Sequence, residues 1–144
     1  ILSLAGRVVD ADNRPLRGAI VEIWQCDVNG HYINTHDAGP ANDENFQGFG
    51  RVLVDDTGAY HFRTIRPVPY TGRTPHIHFR VYRPEGPALT TQMYVAEEGE
   101  RNRRDGLYRS LSDQEQKLVT VDLRPGTVDG ARWDADFDVV LPSG

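Results

Sequence analysis

Short apolar or alternating segments recur along the chain and are separated by clusters of Gly, Pro, Asn and Asp. Alternation of apolar and polar residues is typical of strands with one face in a core, and the clusters are typical of turns. The predicted strands are Leu2 to Val9, Ala19 to Gln25, Gly50 to Asp55, Ala59 to Ile65, His76 to Tyr82, Leu89 to Val95, Lys117 to Leu123 and Trp133 to Leu141. Many short strands of this kind predict an all-β fold, either a β-sandwich or a barrel.

The segments between these strands predict little helix and one long loop. Glu98 to Leu111 is the only plausible helical stretch, and residues 34 to 48 are polar and rich in Gly and Asn, which favours a loop that could carry function. Asp56-Thr57-Gly58 predicts a hairpin-type turn between its flanking strands. No linker or internal repeat divides the chain, so residues 1-144 are predicted to form a single domain.

Composition narrows the range of partners. A net charge of -5 argues against a general affinity for nucleic acid, which needs a basic surface. The arginines at 101, 103 and 104 are interspersed with Glu97, Glu98, Glu100 and Asp105, which predicts a solvated segment of mixed charge. A single cysteine, Cys26, excludes an intrachain disulfide and is expected to be a small buried side chain.

The compartment stays open. No apolar run approaches the roughly 20 residues that a membrane-spanning helix needs, and no signal peptide is visible, so the sequence predicts a soluble protein. The chain starts at Ile1 and not at Met, so an N-terminal segment is expected to be missing. Cytoplasmic and exported locations are therefore both possible.

Pro75-His76-Ile77-His78-Phe79 carries the clearest chemical signal. On a strand, residues i and i+2 point to the same face and lie roughly 7 Å apart, so two imidazoles at this spacing can converge on one metal ion. Taken alone, the motif is equally compatible with two polar residues on an exposed strand face.

Two tyrosines near this motif favour the metal interpretation. Tyr70 lies six residues before His76, after a segment that Pro67 and Pro69 stiffen, and Tyr32 follows the turn that ends at Gly30. A trivalent cation favours the phenolate form of tyrosine, which is a hard anionic donor suited to Fe(III). Zinc gains less from such a set, because its usual protein ligands are Cys, His and carboxylate.

The sequence resembles the intradiol ring-cleavage dioxygenases, the family of protocatechuate 3,4-dioxygenase and catechol 1,2-dioxygenase. The matching segments are Ile23-Trp24-Gln25-Cys26-Asp27 with Gly30 and Tyr32, Thr64-Ile65-Arg66-Pro67 through Tyr70, Arg73 with Pro75 through Phe79, and Thr91-Gln92-Met93-Tyr94. They occur in the family's order and span roughly residues 2 to 142. The resemblance implies a β-sandwich core of the prealbumin type, with long active-site loops.

The resemblance also implies the ligands and the chemistry. One Fe(III) per chain would be held by Tyr32, Tyr70, His76 and His78, with Tyr32 and His76 equatorial together with a hydroxide, and Tyr70 and His78 axial. The substrate would be a catechol, bound as a dianion that displaces hydroxide and Tyr70. The second substrate is O2, and the product is of the muconic-acid type.

Further roles implied by the resemblance concern the pocket. Arg73 would stabilise carbanion or ketone character on the bound ring, because its guanidinium keeps its charge. Tyr70 would be catalytic as well as a ligand, and Gln92 would line the pocket. Among the remaining histidines, His61 is expected to face solvent, while His31 and His36 are poor ligand candidates.

The chain departs from the family at one point near these residues. Only residues 71 to 75 separate Tyr70 from His76, where protocatechuate dioxygenases have a longer insertion with a tryptophan. The chain is also expected to lack the N-terminal helical region through which catechol 1,2-dioxygenases dimerise, so the oligomeric state stays open. We therefore expect a compact member with an open site that accepts several catechols.

Two alternatives remain at this level. The stretch from Gly6 to Ala19 resembles the start of transthyretin-like domains, so a non-catalytic β-sandwich binding module is possible. A cupin-type enzyme also uses His-x-His but normally adds a glutamate and a later histidine, and no histidine follows His78. A Ser-His-Asp hydrolase has no supporting motif such as Gly-x-Ser-x-Gly.

Overall fold

A computed structural model describes residues 1–25, 49–69, 73–127 and 130–141. The strands in this part of the chain are β1 (Leu2–Asp10), β2 (Ile20–Trp24), β3 (Phe49–Leu53), β4 (Ala59–Thr64), β5 (His76–Tyr82), β6 (Leu89–Val95), β7 (Thr120–Val121), β8 (Arg124–Pro125), β9 (Trp133–Asp136) and β10 (Val139–Leu141). A 3-10 turn at Ala96–Glu98 precedes three short helices, α1 (Gly99–Arg104), α2 (Gly106–Arg109) and α3 (Asp113–Val119).

The strands form two sheets. In the first sheet β1 pairs antiparallel with β4 and parallel with both β9 and β10, and β8 pairs with β9. In the second sheet the order is β3-β2-β5-β6-β7, and only the β6–β7 pair is parallel. The predicted all-β sandwich with little helix is confirmed.

One hydrophobic core lies between the two sheets. Leu2 and Leu4 of β1 reach it from the first sheet, and Ile77 and Phe79 of β5 reach it from the second. The rings of Phe79 and Phe137 meet across it, with centroids 4.8 Å apart. Each fully buried side chain of this size contributes about 1.5–3 kcal/mol to the free energy of unfolding, as an upper estimate.

The core also fixes which face of β5 is turned outward. Ile77 and Phe79 are fully buried, so His76 and His78 are directed to the opposite face of the sheet. A slip of one residue in the pairing of β5 would turn both imidazoles into the apolar core and turn Ile77 and Phe79 away from it. Apolar burial therefore determines the orientation of the His-x-His motif.

The predicted hairpin-type turn at residues 56–58 is present, with the N–H of Gly58 donating to the carbonyl of Asp55 at 2.9 Å, but its flanking strands do not pair with each other. The β3 and β4 strands that flank it belong to different sheets. The backbone N–H of Val54 donates to the carbonyl of Ala19 at 3.0 Å, whereas the N–H of Val8 donates to the carbonyl of Gly58 at 2.8 Å. The turn therefore carries the chain from one sheet to the other. The residue before it, Val54, is hydrogen-bonded to Ala19 next to β2, whereas Gly58 at its end is hydrogen-bonded to Val8 of β1.

The predicted strand over Lys117 to Leu123 is wrong for its first part. Residues 113–119 form α3, and only Thr120–Val121 are extended. The helix begins with a capping box, in which the N–H of Glu115 donates to Ser112 Oγ at 3.1 Å and the N–H of Ser112 donates to Glu115 Oε1 at 2.8 Å. Ser-x-x-Glu is a helix-start signal that the apolar pattern of the following residues obscured.

The last predicted strand is divided into β9 and β10, but the register against β1 is the same on both sides of the break. The interruption is bridged by Phe137, whose N–H donates to the carbonyl of Ala5, and by Asp138, which accepts from the N–H of Arg7, both at 2.9 Å.

Among the described residues, no helix combines the length and the apolar character needed to cross a membrane.

Candidate metal centre

His76 and His78 lie side by side on the outer face of β5. Their Nε2 atoms are 3.1 Å apart, and the two rings are nearly perpendicular, with centroids 4.7 Å apart. Two ring nitrogens that face the same point in space are the arrangement that the His-x-His spacing predicts.

The backbone fixes the protonation of His76. Its Nδ1 lies 2.7 Å from the carbonyl oxygen of Thr74, which can only accept a hydrogen bond. Nδ1 therefore carries the proton, and the neutral ring presents a lone pair at Nε2. This is the tautomer that binds a metal through Nε2.

Both imidazoles are held in the neutral form. Burial, reinforced by the nearby charge of Arg73, lowers the pKa of His76 below its ordinary value. Burial, with His76 and Arg73 as further causes, lowers the pKa of His78 to about 4. Neutral imidazole is the form that ligates metals, so both side chains are available as donors near neutral pH.

Trp24 packs against the ring of His78. The residues lie opposite each other in β2 and β5, and their rings are parallel, with centroids 4.9 Å apart and an interplanar angle of 1°. On its other side, His78 lies opposite Gln92 of β6, whose Nε2 is 3.4 Å from His78 Nδ1. Neighbouring strands thus determine the position of this histidine.

Arg73 extends over the same region from the segment before β5. Its Nη2 donates to Gln92 Oε1 and its Nε donates to Asp105 Oδ2, both at 2.7 Å. The side chain is only 24% exposed, so Arg73 is not a free surface arginine. The structure therefore brings Arg73, His76, His78 and Gln92 together.

Tyr94 belongs to this group, although no role was predicted for it. It lies opposite His76 in the β5–β6 pair, and its hydroxyl donates to Gln92 Oε1 at 2.8 Å and accepts from Arg73 Nη2 at 3.5 Å. Burial raises the pKa of Tyr94, so the phenol is neutral and can donate. The alternation Gln92-Met93-Tyr94 on a predicted strand was the available signal, since it places both polar side chains on one face.

The predicted solvated segment around residues 97–105 is only partly confirmed. Arg101, Arg103 and Arg104 are exposed, but Asp105 is 2% exposed and forms an ion pair with Arg73. Its carboxylate also caps α2 by accepting from the N–H of Tyr108. An aspartate immediately before a helix is a capping signal, which could have distinguished Asp105 from its exposed neighbours.

The two predicted tyrosine ligands, Tyr32 and Tyr70, lie outside the described residues. The same holds for Cys26, for His31 and His36, and for the predicted loop at 34 to 48. His61 is exposed, as predicted, and its Nε2 is 2.8 Å from Ser3 Oγ; both residues belong to the first sheet, whereas His76 and His78 belong to the second. Within the described ranges, no group of three or more His, Cys, Asp or Glu side chains surrounds a possible metal position.

Comparison with known proteins identifies the family. A dioxygenase family model, Dioxygenase_C, matches residues 1–142. Catechol 1,2-dioxygenase of Candida albicans is 33% identical over an alignment that covers 94% of this chain and 50% of that protein. The β chain of protocatechuate 3,4-dioxygenase of Burkholderia cepacia is 39% identical over 63% of this chain and 43% of that protein.

This chain belongs to the intradiol ring-cleavage dioxygenase family. Family membership decides against the cupin and the Ser-His-Asp hydrolase. The chain spans about half the length of these curated relatives.

Solved structures agree with this intradiol dioxygenase assignment. The dioxygenase domain of a dioxygenase carbohydrate-binding protein fusion from Streptomyces sp. SirexAA-E is 31% identical, with a TM-score of 0.77 over 99% of this chain and 80% of that one. A 3-chlorocatechol 1,2-dioxygenase from Rhodococcus opacus 1CP is 22% identical, with a TM-score of 0.80 over 99% of this chain and 60% of that one. At that identity, the second likeness shows the fold alone.

Proposed function

We propose that this domain is the catalytic part of a non-haem Fe(III) dioxygenase, which inserts both atoms of O2 into a catechol and cleaves the ring between the hydroxylated carbons. The observation that carries the proposal is the pair of neutral imidazoles, His76 and His78, whose Nε2 atoms face each other beside the Arg73–Gln92 pair. Metal-ligand and cationic groups are thus adjacent on one sheet face, as a site for an anionic, metal-binding substrate requires.

The side chains present fit an iron site. His76 offers a lone pair at Nε2 because its Nδ1–H is bound to Thr74, and the low pKa of His78 keeps its ring neutral. We propose Tyr32 and Tyr70 as the other ligands of one Fe(III) per chain, since phenolate oxygen suits a hard trivalent ion. When bound, Fe(III) supplies a Lewis-acidic and redox-active centre that activates a chelated catecholate toward O2.

Arg73 is proposed to stabilise negative charge on the substrate ring. Its guanidinium is half-buried and oriented by Gln92 and Asp105, so its field acts in a partly water-excluded region. Gln92 is proposed to line the pocket and to orient Arg73 by accepting a hydrogen bond from its Nη2. The hydroxyl of Tyr94 donates to the same Gln92 oxygen and so helps to fix the Gln92 side chain. The overall reaction joins one catechol and one O2 to give one muconic-acid-type product that retains all atoms of both.

The substrate class is proposed to be broad. Relatives of this chain are named for catechol, protocatechuate, chlorocatechol, hydroxyquinol and 6-chlorohydroxyquinol. The short connection at residues 71 to 75 lacks the longer insertion with a tryptophan that protocatechuate dioxygenases have there, which favours a more open site. Turnover rates measured with catechol, protocatechuate, hydroxyquinol and a larger catechol test this, and strict preference for one small catechol would contradict it.

The first experiment is a visible absorption spectrum of the iron-loaded protein, before and after anaerobic addition of catechol. Phenolate bound to Fe(III) gives a broad charge-transfer band, and we expect this band to move to longer wavelength when catechol binds. His76→Ala and His78→Ala should lose iron, while the control His61→Ala, which removes an exposed histidine on the other sheet, should retain it.

A colourless protein after iron is supplied would remove the enzyme interpretation. It would instead favour a non-catalytic transthyretin-like binding module. Equal iron loss in all three histidine variants would show that the proposed ligands are wrong even if the protein is coloured.

A further inference from the structure

We propose that Asp105 is a positioning residue for the dioxygenase reaction, because it sets the orientation of Arg73 and, through Thr74, that of His76. The inference rests on the proposed function, since it concerns how that site is held in place. Asp105 itself contacts neither the proposed metal ligands nor the proposed substrate position through any hydrogen bond among the described residues.

The Asp105 carboxylate is buried and accepts three hydrogen bonds. Its side chain is 0% exposed. Oδ2 accepts from Arg73 Nε at 2.7 Å and from the backbone N–H of Thr74 at 3.0 Å, and Oδ1 accepts from the N–H of Tyr108 at 3.1 Å. A single carboxylate therefore joins the start of α2 to Arg73 and Thr74, which lie just before Pro75 and the His-x-His strand.

These contacts leave the guanidinium of Arg73 little rotational freedom. The group is planar, so acceptors on two of its edges fix the plane and the direction of the remaining edge. Asp105 holds the Nε edge and Gln92 holds Nη2, while no hydrogen bond is made by Nη1 within the described part of the chain. Nη1 is thus the donor left for a substrate.

Asp105 is also connected to His76 through Thr74, which makes three hydrogen bonds. Its N–H donates to Asp105, its Oγ1 donates to Asn102 Oδ1 at 2.6 Å, and its carbonyl accepts from His76 Nδ1 at 2.7 Å. Asn102 is in turn anchored by donating to the carbonyl of Val95 at the end of β6, at 2.9 Å. Displacement of the Thr74 backbone would therefore rotate the His76 ring.

Helix capping alone does not account for a buried carboxylate here. Ser112 caps α3 with a neutral hydroxyl, which shows that a helix of this chain can be capped without a buried carboxylate. Burying a carboxylate is costly unless charged and hydrogen-bonding partners compensate for the lost water. Asp105 meets that condition through Arg73, which ties the capping residue to the proposed catalytic arginine.

The decisive variant is Asp105→Asn, with Ser112→Ala as the matched loss of a helix cap outside the site. An asparagine has one acceptor oxygen, so it cannot serve Arg73, Thr74 and Tyr108 as the carboxylate does. We expect kcat of Asp105→Asn to fall by about tenfold to 100-fold with a smaller change in KM, since a misplaced catalytic group costs rates of this order. Ser112→Ala should leave kcat within about twofold of the parent.

A double-mutant cycle with Arg73→Ala separates positioning from general destabilisation. If Asp105 acts through Arg73, the Asp105→Asn change should lower kcat much less in the Arg73→Ala background than in the parent protein. Independent, multiplicative effects would overturn the proposal. So would a kcat for Asp105→Asn that matches that of Ser112→Ala.

A measurement without iron keeps the test independent of turnover. In the metal-free protein, the Nε–H of Arg73 should exchange with solvent much more slowly in NMR spectra than that of the exposed Arg17. Equally fast exchange would overturn the proposed positioning even if the enzyme is active. Slow exchange of the Arg73 Nε–H in a protein that never binds iron would instead support the positioning of Arg73 by Asp105 and contradict the proposed function.

Discussion

The rings of Trp24 and His78 are stacked in parallel, with their centroids 4.9 Å apart. The two residues are direct partners across the β2–β5 ladder, so the backbone pairing places one ring over the other. The indole therefore covers one face of a proposed iron ligand and restricts rotation of its ring.

Removal of this indole should weaken iron binding. We expect Trp24→Ala to lower the affinity for Fe(III) by about tenfold to 100-fold, the range seen when groups that orient metal ligands are lost. Trp24→Phe should retain most of the affinity, because it keeps an aromatic face. Competition with a chelator of known affinity measures the effect.

Trp133 provides the control, since it lies in β9 of the other sheet, where the guanidinium carbons of Arg66 and Arg132 are 5.2 and 5.0 Å from the centre of its ring. Trp133→Ala is expected to lower the melting temperature without weakening iron binding. A similar loss of iron affinity in the Trp24 and Trp133 variants would assign the effect to general destabilisation.

Gly6 is required where β1 passes close to the chain after β9. A Cβ at this position would lie 1.9 Å from the carbonyl oxygen of Phe137, a backbone atom that cannot move aside cheaply. We expect Gly6→Ala to lower the free energy of unfolding by about 1–3 kcal/mol or more. Urea denaturation checks this against Gly106→Ala, where a Cβ meets nothing within 4 Å and stability should be equal or higher.

Tyr60 forms a hydrogen bond with the carbonyl group of Phe137, the group that Gly6 approaches closely. Its hydroxyl is buried and donates to the carbonyl oxygen of Phe137. Tyr60→Phe removes the donor, so we expect a loss of about 1–3 kcal/mol, because a buried acceptor is left without this partner. Tyr82→Phe removes a half-buried hydroxyl that donates to Glu22, and a loss as large in this variant would contradict the argument.

Asp55 should make stability depend on pH in the acid range. Hydrogen bonds from the Thr57 side chain and then from the backbone of Ala59 and Thr57 hold the pKa of Asp55 below its ordinary value of 3.8. Its contribution is therefore present above pH 3.8 and is lost as the pH falls through the lower pKa of the folded state.

Urea midpoints of the parent and of Asp55→Ala test this sign. The variant should be less stable at neutral pH, and the difference between the two midpoints should shrink once the pH is below 3.8. Asp56→Ala, which alters the adjacent exposed residue, is the control. A difference that grows in acid would contradict the prediction.

The strands were predictable where local alternation was strong. The bounds of β5 and β6 agree with the prediction, and the outward orientation of His76 and His78 followed from the period of two. Helix was predicted for Glu98 to Leu111, where α1 and α2 lie, but the region after residue 111 was predicted less well, because the apolar end of α3 runs directly into β7.

The sequence by itself determined the sandwich class, the His-x-His face of β5 and, through the family resemblance, the expected chemistry. Only the tertiary structure decided that β3 and β4 lie in different sheets, that Trp24 covers His78, and that Asp105 holds Arg73 across 32 residues of sequence. Alternation is a local property of the chain and fixes which way a side chain points. Which distant side chain it meets depends on how both sheets pair and close around the shared core, and no single segment contains that information.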